Sequence, residues 1–200
     1  MVNSGDSVTG VILAGGLARR MGGRDKGVIE LAGRSMIEYV IDAVKPQVDH
    51  LLINANRSHE HYGGFGLPII TDRVGGFSGP LAGIAAALEQ SPGDLVLTVP
   101  CDGPWVPSDL CERLCARLEE TGADVCVAHD GERTQPVFGL FRATLLPGVL
   151  DFLESGERRL QHWLSQQNFA HEDFSDHPEA FVNVNTEEER ARVERQLLDV

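Results

Sequence analysis

The most informative stretch of the sequence is V-T-G-V-I-L-A-G-G-L-A-R-R-M-G-G-R-D-K-G, Val8 to Gly27. Its beginning, residues 8–13, is mainly apolar and leads into a loop that carries four glycines and three arginines before Lys26. A short apolar run of this kind is typical of a strand that is buried on both faces of a sheet. Glycines after such a strand let backbone N–H groups approach an anionic ligand closely. The stretch therefore predicts a strand followed by a ligand-binding loop.

Strand and helix patterns alternate over the first 120 residues. Ser35 and Glu38 form a predicted capping box at the start of a helix whose apolar residues continue at helical spacing to Val44. Further strands are predicted at 50–54, 67–70 and 95–99, and further helices at 80–90 and 108–120. This alternation predicts an α/β protein with a mostly parallel sheet covered by helices.

The second part of the chain has a different rhythm, which predicts an antiparallel appendage. Strand-like segments at 124–128 and 136–141 flank the turn H-D-G-E at 129–132, and Asp-Gly is a hairpin signal. Helices are predicted at 144–155 and 158–166, strands near 169–174 and at 181–184, and a closing helix after a capping box of Thr186 and Glu189. Because no linker or internal repeat interrupts the sequence, we predict one domain over residues 1–200.

The chain is acidic, with a net charge of −13 at pH 7 from 17 basic and 30 acidic residues. This charge argues against binding to nucleic acid or to an anionic membrane, so an anionic ligand requires a local basic site. We predict that site where Arg19, Arg20, Arg24 and Lys26 lie within eight residues. The N-terminus lacks a targeting pattern and no apolar run approaches the ~18 residues of a membrane span, so we expect a cytoplasmic protein. The four cysteines fit reduced thiols in that compartment.

The glycine-rich loop fits neither of the two common nucleotide-binding patterns. Its glycine spacing does not give G-x-G-x-x-G, and Gly27 follows Lys26 where a P-loop requires Ser or Thr. What remains, L-A-G-G-x-x-R-R-M-G-G-x-D-K, resembles the signature of nucleotidyltransferases that pass a nucleoside monophosphate to a phosphorylated acceptor.

Six further segments extend that resemblance along the chain. They are I-N-A-N-R at 53–57, T-D-x6-G-P-L-A-G-I at 71–84, V-P-C-D-G-P at 99–104, D-G-E-R at 130–133, G-E-R-R at 156–159 and F-V-N-V-N-T at 181–186. Within the superfamily the sequence is most similar to the molybdenum cofactor guanylyltransferases, over residues 8–190.

The resemblance implies a Rossmann-like, three-layer nucleotide-diphosphosugar transferase fold. It implies the transfer of GMP from GTP to molybdopterin, with or without bound molybdenum, and the release of pyrophosphate with the help of Mg²⁺. Residues 1–120 then form the GTP-binding half and residues 121–200 the acceptor-binding half. Transient contacts with other proteins of molybdenum cofactor biosynthesis, and with recipient molybdoenzymes or their chaperones, are implied as well.

Cations are required for this chemistry because a phosphate monoester attacks a triphosphate and both reactants are anionic. At an effective dielectric constant near 20, two like unit charges about 4 Å apart repel each other by about 4 kcal/mol. We predict that Arg20, Lys26 and a metal ion offset this repulsion. Asp102 follows the strand at 95–99, and its hard carboxylate suits Mg²⁺. The acceptor phosphate is already ionised at neutral pH, so no general base is required.

The contacts of the guanosine are implied by the resemblance alone. They are made by Asn54, Asp72 and the backbone of Leu13, Ala14 and Gly15. A carboxylate after a short strand also fits a turn cap, which is the structural alternative for Asp72.

Asn183, Asn185 and Arg158 are implied to face the acceptor. The two asparagines alternate along the predicted strand at 181–184, so their side chains are expected on one face. The same pair fits an edge strand that leads into the Thr186 cap, and Arg158 also fits an ordinary helix surface.

Two other functions stay open on sequence alone. A molybdopterin cytidylyltransferase would share the fold and the reaction, although L-A-G-G at 13–16 and N-V-N at 183–185 resemble the guanine-specific proteins more closely. A non-catalytic cofactor carrier would keep the fold without turnover, and the presence of Arg20, Lys26 and Asp102 together argues against it.

Overall fold

The computed structural model describes residues 6–15, 17–18, 24–72 and 79–198. Arg20, which is predicted to be catalytic, lies outside the described residues. The strands are β1 (Val8–Leu13), β2 (Leu17–Ala18), β3 (Arg24–Asp25), β4 (Glu30–Leu31), β5 (Arg34–Ser35), β6 (His50–Asn54), β7 (Ile69–Ile70), β8 (Leu95–Pro100), β9 (Val125–His129), β10 (Thr134–Arg142) and β11 (Phe169–Asp173). The helices are α1 (Met36–Val44), α2 (His59–Gly63), α3 (Pro80–Gln90), α4 (Leu110–Thr121), α5 (Leu146–Glu154), α6 (Leu160–Leu164) and α7 (Glu187–Leu198).

Seven of the strands form one mixed sheet in the order β11-β9-β10-β8-β1-β6-β7. Strand β1 pairs in parallel with both β6 and β8, and in this register Leu13 lies level with Asn54 and with Pro100. The carboxyl ends of these three strands therefore meet at one edge of the sheet. Ligands of parallel α/β sheets bind at this edge.

The antiparallel element predicted for the second half belongs to this same sheet. Strand β10 pairs antiparallel with β8 on one side and with β9 on the other. The edge strand β11 then pairs in parallel with β9. Two-residue pairings of β2 with β3 and of β4 with β5 form separate small ribbons.

The core has two apolar layers, one on each face of the sheet. Adjacent residues of β1 point to opposite faces, so Ile12 packs in one layer and Val11 in the other. Helices α1 and α4 cover the first layer, whereas α3, α5 and α6 cover the second. The predicted three-layer α/β architecture is confirmed.

Several local predictions are confirmed. Helix α3 has the predicted bounds, and both capping boxes form at the starts of their helices. Ser35 N donates to Glu38 Oε2 at 2.7 Å, and Glu189 N donates to Thr186 Oγ1 at 3.1 Å.

The strand predicted at 181–184 is wrong. These residues form a turn followed by chain without regular secondary structure, because Phe181 has a φ of 63°, in the left-handed region that interrupts a strand. The Phe181 ring packs edge-on against Phe138 at a centroid distance of 4.8 Å. The alternation argument for Asn183 and Asn185 therefore does not apply to this segment.

Helix α7 and the segment after Phe181 pack against residues of the first part of the chain. Val193 is fully buried in a small apolar cluster that also contains Ile29, Leu31 and Val184. Arg190 Nε donates to the carbonyl oxygen of Glu30 at 2.9 Å. No helix in the described part of the chain is both long and apolar enough to cross a membrane.

Candidate active site

A cavity of about 490 Å³ opens at the carboxyl ends of β1, β6 and β8. It is lined by Leu13, Gly15, Lys26, Asn54, Asn56, Arg57, Asp72, Gly79, Pro80, Gly83, Pro100, Cys101, Asp102, Gln135, Val137, Phe138 and Asn183. Most of these residues belong to the segments whose sequence resembles nucleotidyltransferases. A second recess of about 660 Å³ lies beside α4, with Gln47, Cys111 and Cys115 in its wall, and it contains none of the predicted site residues.

Lys26 and Asp102 form an ion pair at the edge of the cavity. Lys26 Nζ donates to Asp102 Oδ2 at 2.6 Å and to Asn185 Oδ1 at 2.5 Å. The Lys26 side chain is 18% exposed and that of Asp102 is 11% exposed, so water screens the pair only in part. The Asn185 segment is held in place because Val184 N donates to the Asp102 carbonyl oxygen at 2.8 Å.

Asp25 and Gly27, the two residues that flank Lys26, lie against Tyr62, a buried residue of α2. The Tyr62 hydroxyl donates to Asp25 Oδ1 at 2.8 Å, and a methyl group added at Gly27 would lie 2.6 Å from the same hydroxyl oxygen. Burial, followed by the proximity of Cys101 and Asp25, raises the pKa of Tyr62 far above its usual value. Tyr62 therefore stays a neutral donor that holds the Asp25 side chain, and it leaves no room for a side chain at Gly27.

Asp72 accepts hydrogen bonds from two side-chain amides, those of Asn54 at the end of β6 and of Asn56 just after it. Asn54 Nδ2 donates to Asp72 Oδ1 at 3.0 Å, and Asn56 Nδ2 donates to Asp72 Oδ2 at 2.8 Å. Asn56 Oδ1 also accepts the backbone N–H of Asp72 at 2.9 Å. The carboxylate is thereby oriented within the cavity wall.

The second half of the chain contributes polar groups to the same cavity. Asn183 Oδ1 is buried and has no hydrogen-bond partner among the described residues, although it lines the cavity. Gln135 Nε2 donates to Asp130 Oδ2 at 2.6 Å. Burial alone would raise the pKa of Asp130, but the N–H groups of Arg133 and Glu132 and the Gln135 amide lower it to about 2.

Most of the predicted site residues meet in this cavity. Leu13, Gly15, Lys26, Asn54, Asp72, Asp102 and Asn183 line it, and Asn185 contacts Lys26. The Ala14 N–H instead donates to the Asn54 carbonyl oxygen at 2.8 Å and is part of the sheet edge. The roles assigned to these residues stay predictions, as does that of Arg20.

Arg158 lies apart from the cavity wall. Its Nη1 donates to the carbonyl oxygens of Leu153 and Glu157, both at 2.6 Å, near the end of α5. Its carbonyl oxygen lies 3.8 Å from the position of a methyl group added at Gly79, which lines the cavity. The predicted contact of Arg158 with the acceptor stays a prediction.

Sequence reasoning did not single out several lining residues. Asn56 and Arg57 lie within the I-N-A-N-R segment, and Gln135 follows D-G-E-R by two positions. Their place in these segments was the available signal. Their partners across the fold could not be derived from it.

The cysteines behave as packing residues. All four are free and buried, as predicted for reduced thiols. Burial raises the pKa of Cys126 to about 12 and raises that of Cys101 as well. These two thiols are therefore protonated at neutral pH.

The donor set suits a magnesium ion bound together with phosphates. Mg²⁺ in nucleotide sites uses one or two carboxylates and keeps several waters and phosphate oxygens as ligands. Asp102 supplies one hard carboxylate to the cavity, which is also lined by Asn183, whose amide oxygen has no donor among the described residues. The described residues contain no cluster of three or more His, Cys, Asp or Glu side chains that would hold a metal ion without a substrate.

The chain is an α/β nucleotidyltransferase by its fold and its family. The crystal structure of molybdopterin-guanine dinucleotide biosynthesis protein A from Archaeoglobus fulgidus has the same fold, with a TM-score of 0.80 at 20% identity. That match covers 96% of this chain and 100% of the other. The sequence profile described as "MobA-like NTP transferase domain" matches residues 10–172, and the chain belongs to this family.

Two curated relatives are similar over nearly their whole length. A molybdenum cofactor guanylyltransferase of Shewanella putrefaciens (strain CN-32) is 50% identical over 183 residues, which are 92% of this chain and 94% of the relative. One of Shewanella baltica (strain OS155) is 48% identical over 190 residues, or 95% and 97% of the two chains. The family resemblance seen in the sequence motifs is confirmed.

Proposed function

We propose that the protein transfers GMP from GTP to molybdopterin, uses Mg²⁺, and releases pyrophosphate. The observation that carries this proposal is the contact of Lys26 with Asp102 and Asn185 at a cavity edge formed by three parallel strands. The Lys26 ammonium group and the Asp102 carboxylate therefore line the same cavity as Asn54 and Asp72. The names of the 48–50% identical relatives support the same reaction.

Lys26 binds phosphate oxygens in this proposal. Its ammonium group has three donors, and Asp102 and Asn185 each accept from it before substrate enters. A triphosphate that enters the cavity is a stronger partner for these donors, because it carries more negative charge than one carboxylate. The charge that develops at the α-phosphate is then stabilised by a group that is already in place.

Asp102 would hold the metal ion, with its carboxylate as the protein ligand. When bound, a divalent metal ion neutralises phosphate charge and polarises the phosphoryl group under attack. An oxygen of the acceptor phosphate forms a new bond to the α-phosphorus of GTP. The bond between the α-phosphorus and the oxygen that bridges it to the β-phosphorus breaks, and the electron pair of that bond leaves with pyrophosphate. Asn183 Oδ1 is buried and receives no hydrogen bond within the part of the chain that the structure describes, so it is available to an N–H group of the acceptor.

The test is turnover of the purified protein with molybdopterin, Mg²⁺ and either GTP or CTP. Pyrophosphate release and dinucleotide formation with GTP, at a rate well above that with CTP, is the expected result. Faster turnover with CTP would identify a cytidylyltransferase instead. Tight GTP binding without pyrophosphate release in the presence of molybdopterin would identify a carrier.

A further inference from the structure

Asn56 and Asp72 form a reciprocal pair at the wall of the cavity. Asn56 Nδ2 donates to Asp72 Oδ2 at 2.8 Å, and the Asp72 N–H donates to Asn56 Oδ1 at 2.9 Å. Asn56 thus holds both the backbone and the carboxylate of Asp72. Asn56 also lies close to the glycine-rich loop after β1, since its Nδ2 is 4.0 Å from the position that a methyl group added at Gly15 would occupy.

Asn54 holds the other oxygen of Asp72 but also has a structural part in the sheet. It is 3% exposed, its carbonyl oxygen accepts the Ala14 N–H, and its Oδ1 lies 2.7 Å from the position of a methyl group on Gly83. Asn56 is exposed at the cavity, and both of its hydrogen bonds within the described structure go to Asp72. Replacement of Asn56 should therefore alter Asp72 without disturbing the core.

An oriented carboxylate selects for a particular base edge. An ionised carboxylate only accepts hydrogen bonds. Guanine presents two adjacent donors, the N1–H and the exocyclic N2 amino group, whereas hypoxanthine keeps the N1–H and lacks the amino group. The Watson–Crick edge of cytosine has one amino donor beside two acceptors, which a carboxylate repels. Two parallel bonds form only when both carboxylate oxygens are held in the plane of the base.

We propose that Asn56 is a positioning residue that sets base selectivity by fixing the plane of the Asp72 carboxylate. The inference rests on the proposed function, in which Asp72 contacts the guanine. Asn56 acts through Asp72 and contributes to the discrimination of GTP from ITP, which differ only in the N2 amino group.

The experiment measures dissociation constants of GTP, ITP and CTP with Mg²⁺ for the full chain, without acceptor. A hydrogen bond to a charged group corresponds to about 10- to 100-fold in affinity, so the wild type should prefer GTP to ITP by that factor. Asn56→Ala should reduce the preference to about 3-fold or less and weaken GTP more than ITP. Asn168→Ala is the matched control, because it removes a similar amide donor, Asn168 Nδ2 to the Gly122 carbonyl oxygen at 2.9 Å, away from the cavity.

The outcomes separate the inference from the proposed function. Equal weakening of GTP and ITP by Asn56→Ala, or an unchanged preference, would overturn the positioning role while leaving GTP as the substrate. Asp72→Ala should abolish the preference as well. A wild type that binds CTP better than GTP, or none of the nucleotides, would contradict the proposed function itself. Thermal unfolding of each variant checks that its fold is retained.

Discussion

Lys26 and Asp102 lie 76 residues apart in the sequence and form an ion pair of 2.6 Å at the edge of the cavity. The pair forms because β1 and β8 are neighbours, so the loops that follow them meet. Ion pairs of low exposure often contribute little net stability, since desolvation offsets attraction. We therefore interpret this pair as a substrate site whose cation and anion neutralise each other before substrate enters.

Replacing Asp102 should abolish transfer and preserve the fold. Asp102→Asn keeps the shape and an acceptor for Lys26 but removes the charge that a metal ion requires, and we expect a loss of about 10³-fold or more in kcat. The measurement is pyrophosphate release under saturating GTP and Mg²⁺. Asp151→Asn, on the exposed face of α5, is the matched control. Undiminished turnover of Asp102→Asn would remove the metal assignment.

Lys26 can be tested against the one other lysine in the sequence. Lys26→Ala should slow transfer by about 10²-fold, which is the scale for loss of one preorganised charge-stabilising group. Lys45→Ala removes an exposed lysine at the end of α1 that does not line the cavity, and it should leave the rate unchanged within about 2-fold. Equal effects of the two substitutions on the rate would show that Lys26 acts only through the overall charge.

The support of Lys26 by Tyr62 predicts a rescue. Tyr62→Phe removes the donor to Asp25, whose Oδ2 already lacks a partner in the described structure, and should cost about 1–3 kcal/mol of unfolding free energy. Gly27→Ala should be more destabilising, because its methyl group would lie 2.6 Å from the Tyr62 hydroxyl oxygen. The double variant should be more stable than Gly27→Ala alone, as measured by urea unfolding. Strict additivity of the two changes would argue against the contact.

Two helical glycines give opposite predictions. Gly83→Ala brings a methyl group within 2.7 Å of Asn54 Oδ1, so the Asn54 side chain must move and its hydrogen bond to Asp72 shifts. We therefore expect GTP binding to weaken by about 10-fold. Gly148, in α5, has open space around the same position. Gly148→Ala should therefore stabilise the protein by about 0.5–1 kcal/mol and leave GTP binding unchanged. Calorimetric titration with GTP and urea unfolding measure the two effects, and tight GTP binding by Gly83→Ala would contradict the packing argument.

Asp130, in the turn between β9 and β10, predicts that the free energy of unfolding depends on pH. Despite partial burial, hydrogen bonds lower the pKa of Asp130 to about 2, below its value of 3.8 in an unfolded chain. A depressed pKa stabilises the fold above pH ~4, and that contribution is lost as the pH falls through about 2. Asp130→Asn should cost about 1 kcal/mol at pH 7 after allowance for solvent screening, and less below pH 4. Urea unfolding of both proteins between pH 7 and 3 checks this, and a difference that grows on acidification would contradict it.

Local signals predicted most of the fold. The apolar run of β1 and the bounds of α3, with Pro80 in its first turn, could be derived because they depend on neighbouring residues. The strand predicted at 181–184 is wrong because the left-handed φ of Phe181 depends on packing against Phe138, which is distant in sequence. Sequence patterns do not encode such contacts directly.

The candidate site was predictable to a similar degree. Parallel strands bring their carboxyl ends together, and this rule places Lys26 and Asp102, which follow the first strand and the strand at 95–99, at one edge of the sheet. The pairing of Asn56 with Asp72 could not be predicted, since it depends on the relative height of the loops after β6 and β7. Positions that are fixed by the strand order could be predicted from the sequence, whereas pairings that depend on side-chain geometry could not.

Lys26 and Asp102 are proposed to mark the site where the α-phosphate of GTP is attacked. A crystal structure of the full chain with GTP and Mg²⁺ would show whether the nucleotide binds there. We expect the α-phosphate within hydrogen-bond distance of Lys26 Nζ, the metal ion on the Asp102 carboxylate, and the guanine at Asp72. A triphosphate in the recess beside α4, near Cys111 and Cys115, or elsewhere away from Lys26 and Asp102, would contradict the account.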